Sequence, residues 1–185
     1  MKRTTNETDI EVLLDLAGGE VEINTGIGFF DHMLTALAVH SGMGLKLTCK
    51  GDLQVDAHHT VEDCGIVLGQ ALAQALGDKT GIARFGTAQV PMDEALAQAA
   101  VDVSGRPFLV FRAQFSQAKA GAFELCLCEE FFRAFAVHAG ITLHLILFYG
   151  SNGHHEAESL FKAAAHALRR ALQHKPGVLS TKGSI

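Results

Sequence analysis

Two phrases of the sequence carry metal-ligating residue types at ligand spacing: His58-His59-Thr60-Val61-Glu62 and His154-His155-Glu156-Ala157-Glu158. Both have the form HHxxE, and both open a run with helical periodicity. On a helix, residues three and four apart lie on one face, so each Glu can share a surface with either of its His. The two adjacent His point roughly 100° apart and are better placed to serve two metal centres than to crowd one. Imidazole and carboxylate without thiolate suit manganese, iron, zinc or nickel at open, catalytic or substrate-binding sites. His40, His138, His144, His166 and His174 have no carboxylate at that spacing and are expected to be hydrogen-bonded rather than metal-bound.

The phrases sit inside a longer repeat. The run from Phe30-Asp31-His32 to His40-Ser41-Gly42 lies over Cys128-Glu129-Glu130 to His138-Ala139-Gly140 at an offset of 98, and the HHxxE phrases follow at an offset of 96. Sparser matches at an offset of 87 pair Glu7 with Glu94, Asp15 with Asp102 and Gly18 with Gly105. Duplication makes His32 and Glu130 counterparts on the preceding helices. Eight side chains thereby become candidate metal ligands: His32, His58, His59, Glu62, Glu130, His154, His155 and Glu158.

The elements that must position them follow from hydrophobic period and glycine punctuation. In the first unit, residues 10–16 and 21–24 suggest a hairpin, 30–41 a helix ended by Gly42, 45–49 and 53–55 strands, and 60–76 a helix stopped at Gly77. The second unit runs in the same order: strands at 97–103 and 108–115, a helix at 129–138, a strand at 142–149 and a helix at 157–172. Strands and helices in a twofold pattern predict an α+β fold with two sheets and helices packed between them. The 185 residues, 48% of them hydrophobic, read as one compact domain, 1–185, with repeat units of approximately 1–86 and 87–185.

Composition narrows the function classes. A formal net charge of -5 with scattered Lys and Arg gives no electrostatic support to a nucleic-acid or anionic-membrane surface. There is no apolar stretch of membrane-spanning length and no signal-peptide pattern at Met1-Lys2-Arg3, so a cytoplasmic protein is expected. Cys49, Cys64, Cys126 and Cys128 fit reduced, buried thiols, with Cys126 and Cys128 read as alternating residues on one face of a strand. Anionic ligands must be met locally, by Arg84, Arg106 and Lys182 beside turn glycines and by Lys162 one helical turn after Glu158.

Several longer motifs carry a resemblance. They are Gly28-Phe29-Phe30-Asp31-His32-Met33-Leu34, Asp56-Ala57-His58-His59-Thr60-Val61-Glu62-Asp63, Pro91-Met92-Asp93-Glu94-Ala95, Ser104-Gly105-Arg106-Pro107, His154-His155-Glu156-Ala157-Glu158-Ser159-Leu160-Phe161-Lys162-Ala163 and Ser180-Thr181-Lys182-Gly183. In this order, over nearly the whole chain, they closely resemble the imidazoleglycerol-phosphate dehydratase family.

The resemblance implies duplicated half-domains, a helical layer between two mixed four-stranded sheets, with repeats of the ribosomal protein S5 domain 2-like kind. It also implies trimers assembled into a 24-subunit shell, and two Mn2+ ions per active site at subunit boundaries. The implied reaction takes D-erythro-imidazole glycerol 3-phosphate to imidazole acetol phosphate in L-histidine biosynthesis, with manganese as Lewis acid favouring the imidazolate form of the substrate ring. By the same resemblance Glu7 is the base, His58 and His154 act beside it in catalysis, and Arg84, Arg106, Lys162, Ser180 and Lys182 contact the phosphate.

Two positions depart from the family pattern: Glu130 stands where it usually has His, and Ala57 where it commonly has Asp. Glu130 remains a competent oxygen ligand but lowers the net charge of its site by one. Two other readings account for the HHxxE phrases alone, a metal-storage shell and a metal-dependent phosphate-ester hydrolase.

Overall fold

The computed structural model describes residues 1–177 and 180. Its first sheet is built from β1 (Lys2–Thr4), β2 (Thr8–Asp15), β3 (Val21–Asn24) and β4 (Gly44–Gly51), in the order β1-β2-β4-β3. Helix α1 (Gly28–Ser41) links β3 to β4, and α2 (His58–Leu76) follows β4. The second sheet repeats this plan with β5 (Phe85–Met92), β6 (Ala95–Asp102), β7 (Phe108–Arg112) and β10 (Thr142–Tyr149), in the order β5-β6-β10-β7. A small hairpin of β8 (Lys119–Ala120) and β9 (Phe123–Glu124) precedes α3 (Leu127–Ala139), and α4 (Gly153–Ala171) follows β10. In both sheets the first three strands in spatial order are antiparallel and the fourth runs parallel to its neighbour.

The sparse offset of 87 marks real boundaries: it carries Thr8 onto Ala95 and Asp15 onto Asp102, the two ends of β2 and of β6. Alternation along these strands is clean because one face of each sheet is covered by helices. Ile10 and Val12 face inward on β2, and Ala95, Ala97, Ala99 and Val101 on β6.

Three expectations are corrected. Residues 10–16 and 21–24 do not form a hairpin, because β4 lies between them, antiparallel to β2 and parallel to β3. The chain reaches that arrangement through the α1 crossover, which short-range pattern does not reveal. Residues 53–55 are turn rather than strand, with Leu53 and Val55 exposed. Cys126 and Cys128 share no strand face: Cys126 caps α3 and is exposed, whereas Cys128 lies buried in the first turn.

The helices meet across the duplication. α1 packs on α4 and α2 on α3, so each pair takes one helix from each half. Phe30, Phe131, Phe132 and Phe161 fill the centre, with Phe132 and Phe161 ring centroids 4.6 Å apart. The α2–α3 crossing is close enough that a Cβ on Gly69 would stand 2.6 Å from the Phe135 carbonyl oxygen, and one on Gly65 2.7 Å from that of Phe131. Among the described residues no helix is long and apolar enough to cross a membrane.

Candidate active site

An Asx side chain two residues before each HHxxE phrase holds an amide of the following helix's first turn, Asn152 as the N-cap of α4 and Asp56 from one residue before the N-cap of α2. Asp56 Oδ1 accepts from the His58 N–H at 2.7 Å, and Asn152 Oδ1 from the His154 N–H at 2.9 Å. The first turn of α2 is also tied to the first sheet. The buried Asp63 carboxylate accepts from the Thr8 hydroxyl at 2.5 Å and pairs with Arg3 at 2.5 Å.

The α1–α4 contact brings three of the candidate ligands together. His32 Nε2 lies 3.4 Å and His154 Nε2 3.1 Å from the same Glu158 oxygen, and donor atoms of the three residues all fall within 4.8 Å of one another. Glu158 is 5% exposed, while the two imidazoles are about half exposed, so the group has a buried anion and an open mouth. Lys162 closes the other side, its Nζ 2.7 Å from the second Glu158 oxygen. Burial pushes the Glu158 carboxyl up, but the Lys162 ammonium and then His32 outweigh it and leave the group below the usual carboxylate range.

The repeat-related set is looser. His58 Nε2 and Glu62 are 3.8 Å apart across one turn of α2. Glu130, half-buried on α3, faces its own helix, 3.8 Å from Arg133 Nε, while Arg133 also pairs with Glu129.

The second His of each doublet turns elsewhere, as the divergence of adjacent helical residues requires. The rings of His58 and His59 stand at 87° and those of His154 and His155 at 77°. His59 Nδ1 faces Asp52 at 3.0 Å, with Glu7 3.8 Å from its Nε2; His155 Nδ1 faces Glu94 at 2.7 Å, with Asp93 3.8 Å from its Nε2. These carboxylates raise the affinity of both rings for a proton, Asp52 chiefly for His59 and Glu94 chiefly for His155. In return the His155 ring, with backbone amides behind it, holds the Glu94 carboxyl down to about 2.

Two of the proposed anion contacts are coupled. Asp102, at the end of β6, accepts from Arg84 Nε at 2.7 Å and from Arg106 Nη2 at 3.2 Å. Arg84 adopts a left-handed backbone (φ 72°), at a cost of about 1–2 kcal/mol for a non-glycine residue, and its peptide is held by Ala171 and Val103. Burial raises the Asp102 carboxyl, but Arg84 outweighs this and brings it below its ordinary value. Ser180 is half-buried, and Lys182 lies outside the described residues. Asp52, Asp93 and Asp102 had no ligand spacing to announce them. The only signals in the sequence were the 87 offset for Asp102 and the Pro91-Met92-Asp93-Glu94-Ala95 motif for Asp93.

Comparison with known proteins agrees with this architecture. The sequence profile of the imidazoleglycerol-phosphate dehydratase family matches residues 25–168. The chain is 58% identical to the imidazoleglycerol-phosphate dehydratase of Streptococcus sanguinis, covering 100% of this chain and 97% of the relative, and 56% identical to that of Alkaliphilus metalliredigens, covering 99% and 96%. Among solved structures, the imidazoleglycerol-phosphate dehydratase of Staphylococcus aureus superposes with a TM-score of 0.85 at 44% identity, over 95% of this chain and 98% of that one. The Pyrococcus furiosus enzyme, solved in complex with (S)-C348, gives 0.89 at 39% identity over the whole of both chains.

The protein is therefore an enzyme of the hydro-lyase class, a carbon–oxygen lyase. The chain belongs to the imidazoleglycerol-phosphate dehydratase family, and membership carries a role in histidine biosynthesis.

Proposed function

We propose that the chain converts D-erythro-imidazole glycerol 3-phosphate to imidazole acetol phosphate in the cytoplasm, with two manganese ions held by its His and Glu side chains. The observation that carries this reading is the convergence of His32, His154 and Glu158 from opposite halves of the molecule. The donor set fits the ion: two imidazoles and a carboxylate, no thiolate, an open mouth, and an anion already matched by Lys162. Bound manganese supplies Lewis acidity toward the substrate's imidazole ring.

His32, His154 and Glu158 are assigned to one ion, and His58, Glu62 and Glu130 to its repeat-related partner. His59 and His155 face Asp52 and Glu94 rather than these groups and are assigned to metals shared with neighbouring copies in trimers and a 24-subunit shell. His58 and His154 are assigned a part in catalysis beside Glu7. Glu7, beside His59, takes the carbon-bound proton; the hydroxide that departs from the adjacent carbon combines with that proton to give water, and the resulting enol becomes the ketone. Arg84 and Arg106, joined by Asp102, hold the phosphate with Lys162, Ser180 and Lys182.

The direct test incubates manganese-loaded protein with the substrate and follows the ketone. Absence of product at full metal occupancy points to a storage shell, and release of inorganic phosphate points to a hydrolase. In Glu7→Gln, kcat is expected to fall by roughly 10²–10⁴-fold with manganese content unchanged, as loss of a general base requires. A variant with normal kcat removes Glu7 from that role.

Asp102→Asn probes the phosphate clamp. The neutral amide no longer neutralises the two guanidinium groups or holds both in place, so KM should rise by about tenfold with kcat little changed. A fall in kcat at constant KM would assign Asp102 a different task.

A further inference from the structure

The outward-turned imidazoles have a feature in common that the repeat does not supply. In both, the Nδ1 edge is met by a carboxylate, Asp52 at 3.0 Å from His59 and Glu94 at 2.7 Å from His155. These two acids are not repeat equivalents. Glu94 lies in the turn between β5 and β6 and corresponds to Glu7, whereas Asp52 follows β4, and the offset of 96 that relates the doublets carries it onto Phe148. The same contact is thus made from two different places in the fold.

Both acids are themselves fixed. The Asp52 N–H donates to the Glu7 carbonyl at 3.0 Å and its own carbonyl accepts from Val55 at 2.8 Å. The second oxygen of Glu94 accepts from the Ser151 N–H at 3.1 Å, in the loop that leads into α4.

We propose that Asp52 and Glu94 are positioning residues that hold His59 and His155 in the Nδ1–H tautomer, so that each presents the lone pair of Nε2 for metal binding. A neutral imidazole has one N–H and one lone pair, and a carboxylate on one nitrogen decides which is which while fixing the plane of the ring. The arrangement also explains why the first half needs Asp52. Glu94 is occupied with Nδ1 of His155, whereas its counterpart Glu7 stands on the Nε2 side of His59, free for proton transfer because Asp52 holds the other edge. The proposal rests on the reading of His59 and His155 as metal ligands.

The experiment uses the full-length protein stripped of metal. Imidazole nitrogen NMR at alkaline pH, where the rings are neutral, reads the tautomer directly, and manganese titration reads affinity. Wild-type His59 and His155 are expected as Nδ1–H. Glu94→Ala should move His155 toward Nε2–H, leave the His59 signal unchanged and weaken manganese binding by roughly 10–100-fold; Asp52→Ala should do the converse. Glu94→Gln, which can still accept from Nδ1–H, should restore the tautomer and part of the affinity.

An Nε2–H tautomer in the wild type, or Glu94→Ala and Asp52→Ala proteins that bind manganese normally, would overturn the proposal. If the wild type itself binds no manganese and forms no ketone, the dehydratase reading of the site fails instead.

Discussion

If the proposed manganese site is right, a Glu158→Gln protein is expected to fold, to bind no manganese at His32 and His154, and to turn over the substrate at roughly a thousandth of the wild-type rate. That figure corresponds to the several kcal/mol a Lewis-acid metal contributes to a transition state, at about 1.4 kcal/mol per factor of ten. Three effects act together in one substitution. The amide offers the ion a neutral oxygen where the carboxylate offered an anion. It no longer gathers both Nε2 atoms around one oxygen. It also leaves Lys162, whose side chain is 18% exposed, without its closest partner. An uncompensated, partly buried ammonium repels a divalent cation and destabilises the helix pair by about 1–3 kcal/mol. Metal analysis and a thermal melt separate these outcomes. Full manganese content in the variant would exclude Glu158 as a ligand, and unchanged melting would show that Lys162 finds another partner.

The second large effect is expected at a residue with no side chain to bind anything, Gly86 on β5. A Cβ placed there would stand 1.9 Å from the Ala167 carbonyl oxygen and 2.8 Å from the Ala171 amide nitrogen, both backbone atoms of α4. No rotamer change relieves such a contact; α4 must lift from β5. Overpacking of this kind typically costs about 1–3 kcal/mol and occasionally more, and the absence of any side chain that could yield puts Gly86→Ala at the upper end. For a chain of this length about 3 kcal/mol lowers the melting temperature by roughly 6–12 °C. Because α4 carries His154 and Glu158, manganese affinity should fall with it. Gly28→Ala is the matched control: its Cβ would meet nothing within 4 Å at the start of α1, so stability should hold or rise by up to about 1 kcal/mol. Equal melting of the two variants would mean that the β5–α4 contact yields.

The helices were legible in the sequence because their signals are local. The 3.6-residue period, and Gly42 and Gly140 in left-handed conformation after α1 and α3, act within a few residues. Strand order was less legible. The parallel pairing of β3 with β4 and of β7 with β10 is decided by crossover helices, so residues 10–16 and 21–24 resembled a hairpin. β1 and β5 carry weak signals, the first for its three residues and the second because Gly86 and Pro91 interrupt its alternation.

At the site, spacing and repeat position sufficed to single out His32, His154 and Glu158, which the fold brings together. Less legible were the acids that hold His59, His155 and the Arg84–Arg106 pair. Asp52, Glu94 and Asp102 act through loop and strand-end geometry, and the motif and the offset that include Glu94 and Asp102 do not say what either touches.

The pairing of α1 with α4 has a consequence for how such a chain could have arisen. Neither repeat unit holds the His32–His154–Glu158 group within itself, since the first residue belongs to one half and the other two to the second. A single ancestral unit could therefore have assembled this group only by dimerising about a twofold axis, with each copy lending its first helix to the other. Fusion of the two genes would then have turned an intermolecular contact into an intramolecular one, after which the two halves were free to diverge in sequence.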